Sequence, residues 1–179
     1  MHDDMSRKIA PLIPALRRYA RALMKNPNAA DDLVQDCLER AISRWHQHRV
    51  DGNTRTWMFT ILHNLAVNNW QQARFRGVHV AIDDVGDAAF SHPPQQDENL
   101  HLNDVMTALD QLPDDQRSVV LLISVEDLSY ADAAKVLGVP VGTVMSRLSR
   151  GRERLHQILA GVANGTVEKP HGPALRRVK

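Results

Sequence analysis

The stretch Ser129–Leu155 constrains the fold most, because its helix-starting and helix-ending residues predict two short helices joined by a tight turn. Ser129 and Asp132 make a Ser-x-x-Asp pattern similar to a capping box, which starts the first helix. Gly138 fits the left-handed position that commonly closes a helix, and Pro140 suits the first turn of the next helix. The order of helix, short turn and helix is that of a DNA-binding helix-turn-helix motif.

Apolar residues of this motif are expected to pack inward and to leave a polar outer face on the second helix. The inward residues are Ala131, Ala134 and Leu137 on the first helix, and Val144, Leu148, Leu155 and Ile158 or Leu159 on the second. The outer face carries the candidate DNA contacts Thr143, Ser146, Arg147, Arg150 and Arg154. Arginine pairs in a bidentate way with guanine or phosphate. Arginines on a helix can also form an ordinary solvated face, but the capped helix and the turn beside them favour DNA binding.

The fold class predicted for the whole chain is all-α, with two small helical domains. Residues 1–76 form the first domain, since apolar residues recur there at helical spacing in three segments. Residues 99–160 form the second domain, in which a helix ends at Pro113 and Asp114 is placed to cap the next one.

A flexible acidic linker is predicted at 77–98, between the two domains. It contains five acidic residues and no Lys or Arg, and its run Ser91–Gln96 includes two prolines, which cannot continue a helix. Such a tether lets one chain engage two sites on the same partner. Residues 161–179 are predicted to be a disordered tail.

Charge and cysteine content narrow the class of protein. The net charge of the 179 residues is only +1, so a nucleic-acid surface must arise from separation of charges along the chain. Cys37 is the single cysteine, which excludes an internal disulfide, and its place on an apolar stripe predicts a small buried side chain. No apolar run has membrane-spanning length and the start Met1–Asp4 is polar, so we expect a cytoplasmic protein without membrane insertion.

No catalytic site, metal or cofactor is expected. The sequence contains no nucleophile–base motif and no phosphate-binding glycine loop. His46, His48 and His63 lack cysteines or carboxylates at ligand spacing, which favours surface or DNA-side histidines over metal ligands.

Two blocks of the chain resemble a known family. The segments Leu112–Arg117, Leu128–Ala134 and Val139–Val144 are similar to the fourth conserved domain of bacterial sigma-70-type factors, and more narrowly to the extracytoplasmic-function (group IV) subfamily. The segments Asp32–Asp36, Arg40–Ala41 and Trp57–Asn64 resemble the second conserved domain of the same family. The resemblance covers nearly the whole chain except the linker and the tail.

This resemblance implies reversible binding to core RNA polymerase and direction of the polymerase to promoters, with catalysis left to the polymerase. The helix Leu33–Trp45 would dock on the β′ clamp helices, and the β subunit would be a further contact. The exposed candidates for core binding are Gln35, Asp36, Glu39 and Arg40. An anti-sigma factor that covers the polymerase-binding surfaces is the other partner that the resemblance implies.

The same resemblance assigns the −35 element, as duplex DNA, to the second domain and the −10 element to the first. The candidate −10 contacts are Asn53, Thr54, Arg55, His63, Asn64, Asn68, Arg74 and Arg76. Asparagines and the histidine offer hydrogen-bonding edges for a base taken out of the stack, and arginines offer charge to phosphates. Met145 and Asn68 depart from the common pattern of the family, so the promoter sequences are not predicted.

Alternatives remain for some residues and for the function. Trp57 and Trp70 can stack on bases or lie in the core; helical spacing favours core for Trp57 and leaves Trp70 open. A conventional DNA-binding regulator, with the first domain as a sensor or dimerisation module, does not need the Asp32–Arg40 and Trp57–Asn64 blocks. A third possibility is a decoy for a sigma-binding inhibitor.

Overall fold

A computed structural model of the chain describes residues 2–24, 26–48, 52–77 and 104–163. These residues form helices and turns, with no strand among them, which confirms the all-α prediction. The helices up to residue 77 are called the first unit here, and those from residue 104 the second unit. The predicted linker and tail lie almost wholly outside the described residues, so their flexibility and the domain boundaries stay predictions.

The first unit is built from four α-helices and two 3₁₀ turns in its described part. The helices are α1 (His2–Ile9), α2 (Ile13–Leu23), α3 (Pro27–Ser43) and α4 (Thr54–Gly77), and the turns are Ala10–Leu12 and Trp45–Gln47. Asn26 starts α3, because its Oδ1 accepts hydrogen bonds from the N–H groups of Asn28 at 2.8 Å and Ala29 at 3.3 Å. Pro27 takes the first helical position, where its missing N–H removes no helical bond.

Helices α2, α3 and α4 pack around a common apolar core. Its most buried side chains include Leu16, Tyr19, Leu33, Cys37, Met58, Phe59 and Leu62. The rings of Tyr19 and Phe59 meet edge to face with centroids 5.4 Å apart, which is a favourable aromatic geometry. This core fixes which faces of α3 and α4 remain for other partners.

The second unit contains four α-helices in its described part. They are α5 (104–110), α6 (Asp114–Val120), α7 (Tyr130–Leu137) and α8 (Val141–Ala163), and a π-helical turn, Leu121–Val125, follows α6 directly. The predicted cap by Asp114 is wrong. Pro113 is the N-cap residue and no side chain caps the helix. The Asp114 carboxylate instead accepts a hydrogen bond from Arg74 of the first unit, at 3.0 Å.

The helix-turn-helix in α7 and α8 has the predicted start and turn. Ser129 Oγ accepts a hydrogen bond from the N–H of Asp132 at 3.1 Å, and Gly138 closes α7 in the left-handed region with φ +63°. Pro140 immediately precedes α8. The expectation of an inward Ala131 is wrong: this residue is exposed, because the buried face of α7, which packs against α4 and α8, begins two positions later at Ala133. The buried residues of α7 are Ala133, Ala134 and Val136.

The two units are in contact, and buried residues of both belong to one hydrophobic cluster. Helix α7 of the second unit lies against α4, and α6 lies against α2. Arg117 of α6 is buried, and its guanidinium donates to the carbonyl oxygens of Leu109 and Asp110 at 2.9 Å. It also donates to the carbonyl of Leu23 at 3.3 Å, which ties α6 to the end of α2. The sequence predicted two domains joined by a flexible linker, and this contact between the units was not part of that prediction.

Candidate nucleic-acid interface

Helix α8 presents a polar outer face because its apolar residues are buried against the rest of the second unit. Val144 and Leu148 are buried, whereas Ser146, Arg150 and Arg154 are exposed and Thr143 is half-buried. The Arg150 Nε donates to the carbonyl oxygen of Ser146 at 3.2 Å, which holds this guanidinium along the helix. The outer face of α8 therefore presents hydroxyl and guanidinium groups to solvent.

Arg147 differs from the other arginines of α8. Its side chain is 27% exposed, and its Nε lies 3.2 Å from Asp115 Oδ2 of α6. The side chain points into a groove of about 520 Å³ between the two units, which is lined among others by His63, Trp70 and Arg74. In this arrangement Arg147 therefore faces the first unit rather than the open side of α8.

Several candidate −10 contacts lie along α4 and at its start. Asn53, Asn64, Asn68 and Arg74 are exposed, and Thr54 is half-buried. Asn53 also has a structural part, since its Oδ1 accepts from the N–H of Thr56 at 3.3 Å at the beginning of α4. Arg76 lies in the last turn of α4, and its side chain is outside the described part of the structure.

His63 is not exposed as the sequence pattern suggested. Only 8% of its surface is accessible, and its Nδ1 lies 3.2 Å from the Tyr19 hydroxyl oxygen. Burial, assisted by the positive charge of Arg147, lowers the pKa of His63 to about 4. The imidazole is therefore neutral at pH 7 and is shielded from solvent. DNA reaches this ring only if the packing around α4 changes.

The three tryptophans take part in packing. Trp57 is half-buried and meets Trp45 edge to face at 6.0 Å between ring centroids, while His48 stacks on Trp45 at 4.9 Å. Trp70 is half-buried with its ring 6.3 Å from His63. The packing of Trp57 against Trp45 agrees with the prediction that Trp57 belongs to the core. Trp70 lines the groove between the units.

Helix α3 carries a separate polar surface. Gln35, Asp36, Glu39 and Arg40 are all exposed, and Gln35 Nε2 donates to Glu39 Oε1 at 3.1 Å. Cys37 lies on the opposite face, fully buried, and burial raises the pKa of its thiol to about 12. The prediction of a buried structural cysteine is confirmed, and the polar face of α3 is exposed in the part of the chain that the structure describes.

Sequence reasoning missed the residues that join the units. Glu126 is 1% exposed and accepts hydrogen bonds from Arg18 of α2 and from Arg55 at the start of α4. Arg74 and Asp114 form a further pair across the boundary. A signal in the sequence was the position of Glu126, the first of two consecutive acids directly after the apolar run Val119–Val125, which is interrupted only by Ser124. Its partners are 108 and 71 positions away in the chain, where no local pattern reaches.

The described helices of this two-unit, helix-turn-helix protein include none long and apolar enough to cross a membrane. Comparison with known families gives two matches. Residues 9–63 match the Sigma2 domain of PhyR, and residues 102–155 match Sigma-70, region 4.

Relatives are similar over most of the chain. An ECF RNA polymerase sigma factor, EcfG of Rhodopseudomonas palustris, is 36% identical over 88% of this chain and 86% of its own length. HrpL of Pseudomonas syringae, an RNA polymerase sigma factor, is 32% identical over 83% of each chain. A solved structure of the sigma factor RpoE with the anti-sigma factor NepR, from Bartonella quintana, is 36% identical, covering 88% of this chain and 97% of that one with a TM-score of 0.72.

The two helical units and these matches define the class as sigma-70-type transcription initiation factors. Within that class, the chain belongs to the extracytoplasmic-function (ECF) family of RNA polymerase sigma factors. It is an alternative sigma factor, which partners core RNA polymerase and promoter DNA and directs promoter-specific transcription. Sigma factors are not catalytic, so the protein is not an enzyme.

Proposed function

We propose that the second unit reads the −35 element through the outer face of α8. The observation that carries this proposal is the exposure of Ser146, Arg150 and Arg154 on the second helix of a capped helix-turn-helix. Recognition helices contact base edges near their N-terminus and phosphates with flanking cations. Thr143, Ser146 and Arg150 are therefore assigned to bases, and Arg154 to the DNA backbone. Arg147 joins them once its pair with Asp115 opens.

The first unit holds the −10 element along α4. Asn64 and Asn68 are four positions apart, so both lie on one exposed face where their amides can bond to an unstacked base. Asn53 and Thr54 stand at the start of the helix, and the arginines Arg55, Arg74 and Arg76 supply charge for the phosphates. His63 is a contact only after the unit has rearranged around it.

The polar face of α3 docks on core polymerase. Gln35, Asp36, Glu39 and Arg40 are exposed together, while the other face of α3 is committed to the core of the unit. The β′ clamp helices and the β subunit are the polymerase surfaces assigned to this interaction by family resemblance. Binding to polymerase places the protein in the bacterial cytoplasm.

An anti-sigma factor is the regulatory partner. The similar RpoE of Bartonella quintana is solved in complex with the anti-sigma factor NepR, at 36% identity to this chain. Such a partner inactivates the chain by covering surfaces that core polymerase needs, such as the polar face of α3.

Site-specific crosslinking tests the division of the promoter between the units. A photoreactive side chain at Ser146 should crosslink to DNA near position −35 in a complex with polymerase, and one at Asn68 should crosslink near position −10. The same group at Arg17, exposed on α2, serves as the control. Crosslinks from Ser146 near −10, or from neither position to promoter DNA, would overturn the assignment.

One alternative rests on a specific observation, the match of the first unit to the Sigma2 domain of PhyR. PhyR of Bartonella quintana is described as an anti-anti-sigma factor. At 18% identity over 49% of that chain, the likeness concerns the fold alone. The sigma-factor relatives, matched over more than four fifths of their length, favour initiation over a decoy role.

A further inference from the structure

We propose that this protein has a closed, self-inhibited state held by an ion-pair latch between its two units. The latch consists of Glu126 in the second unit with Arg18 and Arg55 in the first. Opening it releases Arg55, which the proposed function assigns to the phosphates of the −10 element. This inference rests on the proposed division of the promoter between the units.

The carboxylate of Glu126 is the centre of the latch. Its side chain is completely inaccessible to solvent, and both of its oxygens have partners in the first unit. Arg18 donates through Nε to Oε1 and through Nη2 to Oε2, each at 2.8 Å. Arg55 Nη2 lies 3.4 Å from Oε2 and also donates to the backbone carbonyl oxygen of Glu126. The bidentate pair is the stronger kind of charge-assisted hydrogen bond.

The chain around Glu126 has an uncommon geometry. The π-helical turn Leu121–Val125 precedes it, and Asp127 follows in the left-handed region with φ +52°. Turns of the π-helical kind occur frequently at functional sites. A buried carboxylate without partners is costly, so this geometry is stable only while the arginines of the first unit are present.

The latch can open because its arginines are not enclosed. The side chains of Arg18 and Arg55 are 53% and 39% exposed, so water and anions reach both guanidinium groups. A second ion pair across the boundary joins Arg74 to Asp114, and the Arg74 side chain is 76% exposed. Exposed pairs are weakened by salt, and phosphate competes with carboxylate for the same guanidinium groups.

Closure and promoter binding exclude each other on distance. The centres of the −35 and −10 elements are separated by about 25 base pairs, or on the order of 85 Å of duplex at 3.4 Å per pair. The longest helix in the described part of the chain, α4, has 24 residues and measures about 36 Å. With α7 packed against α4, the two units cannot reach both elements at once. The closed state also occupies Arg55 and Arg74 with acids of the second unit.

The test measures the distance between the units in the full chain, without DNA or polymerase. Donor and acceptor dyes are attached at Arg17→Cys on α2 and Gln157→Cys on α8, both exposed positions. We expect high transfer efficiency in the parent chain, and a clear loss in Glu126→Gln and in Arg18→Gln. Glu153→Gln, on the exposed side of α8, and Arg21→Gln, whose partner Asp31 lies in the same unit, should match the parent.

A second readout is affinity for a duplex of arbitrary sequence as a function of salt. The opened variant Glu126→Gln should bind several-fold tighter at low salt, and its salt slope should steepen by about 2 because Arg55 and Arg74 become available. Circular dichroism shows whether Glu126→Gln folds. If it does not, Arg18→Gln is used for the distance measurement instead, because this variant keeps Arg55 as a partner of Glu126.

Transfer efficiency equal to the parent in the folded latch variants would overturn the latch. So would an unchanged DNA affinity and salt slope in Glu126→Gln. A failure of the proposed promoter assignment is distinguishable, because it appears only in the crosslinking of promoter complexes and leaves the distance between the units in the free protein unaffected.

Discussion

Arg18 and Glu126 form a bidentate ion pair across the boundary between the two units, with both nitrogen–oxygen distances at 2.8 Å. The side-chain hydrogen bond, with the carboxylate charge, raises the pKa of Arg18 above its ordinary value, so this guanidinium stays charged at any pH the protein meets. The pair connects the start of the chain to the loop that precedes the helix-turn-helix. The two units are thus coupled by a direct contact and not only by the linker between them.

Gly151 should be required for the packing of α8 on α6. A Cβ at this position would lie 2.8 Å from Val120 Cγ2 and 3.4 Å from Gln116 Cβ. Overpacking costs about 1–3 kcal/mol, and the gain in helix propensity from Gly to Ala is about 1 kcal/mol. Because a contact of 2.8 Å forces Val120 or α8 to shift, we expect the cost to be the larger of the two. We expect Gly151→Ala to lower the melting temperature by a few degrees, measured by circular dichroism.

Gly142 is the matched control for that substitution, since a Cβ there meets nothing within 4 Å. Gly142→Ala should leave the melting temperature unchanged or raise it. A Gly151→Ala variant as stable as Gly142→Ala would show that α6 yields at Val120 and that the close approach is not required.

His63 should make the folded state sensitive to acid. Its folded pKa of about 4 lies below the ordinary value of 6.5, so the unfolded chain binds more protons between these values. Stability is therefore unaffected by this group above pH 6.5 and falls as the pH drops toward 4. One group with this shift accounts for about 3 kcal/mol over the window.

Urea unfolding between pH 7 and pH 4 measures this contribution. The free energy of unfolding of His63→Gln should fall less steeply than that of the parent, because glutamine does not titrate. His156→Gln, at an exposed position on α8, should follow the parent. Parallel curves for His63→Gln and the parent would mean that the ring is not held in its neutral form.

Arg150 and Arg154 should differ in what they contribute to DNA binding. Both are exposed on α8, but Arg150 is nearer the N-terminus of the helix, where base edges are read. Arg150→Ala should relax discrimination at one base pair by about 1–3 kcal/mol, and Arg154→Ala should weaken binding uniformly and reduce the salt slope by about 1. Binding to matched and scrambled duplexes separates the two. Equal losses on every sequence would mean that the base-reading face has been misassigned.

Asp36 should be required for binding to core polymerase. Asp36→Lys reverses a charge on the exposed face of α3, away from buried Cys37, so the fold should be retained while affinity for core drops at least tenfold. Asp31→Lys is the control: it is five positions away on the same helix, about 140° around the axis. Its ion pair with Arg21 lies on the surface and contributes little to stability. Equal effects of both variants would indicate a non-specific charge effect.

Local architecture in both units could be predicted because its signals depend on residues close together in the sequence. The cap at Ser129 and the left-handed Gly138 depend on residues within a few positions of each other, and both have the predicted geometry. The burial of Cys37 likewise follows from helical periodicity. The cap at Ser129 and the turn at Gly138 fix where α8 begins and which way its polar face points.

The contacts between the units could not be predicted, because they join residues distant in sequence. Asp114 satisfies the rule for a helix cap, yet its carboxylate pairs with Arg74, 40 positions away. His63 stands in a polar helical position, but the hydroxyl of Tyr19 and the approach of α8 enclose it. The neighbouring residues in the sequence are compatible with either role for Asp114 and for His63. Tertiary packing determines which role each residue has.

Run-off transcription with purified core RNA polymerase tests the central claim most directly. Added to core polymerase and fragments of genomic DNA, the chain should produce transcripts with start sites that are absent when it is left out. Base changes in the −35 or −10 element upstream of those sites should abolish them. If no start site depends on the chain on any genomic promoter, the protein does not act as a sigma factor.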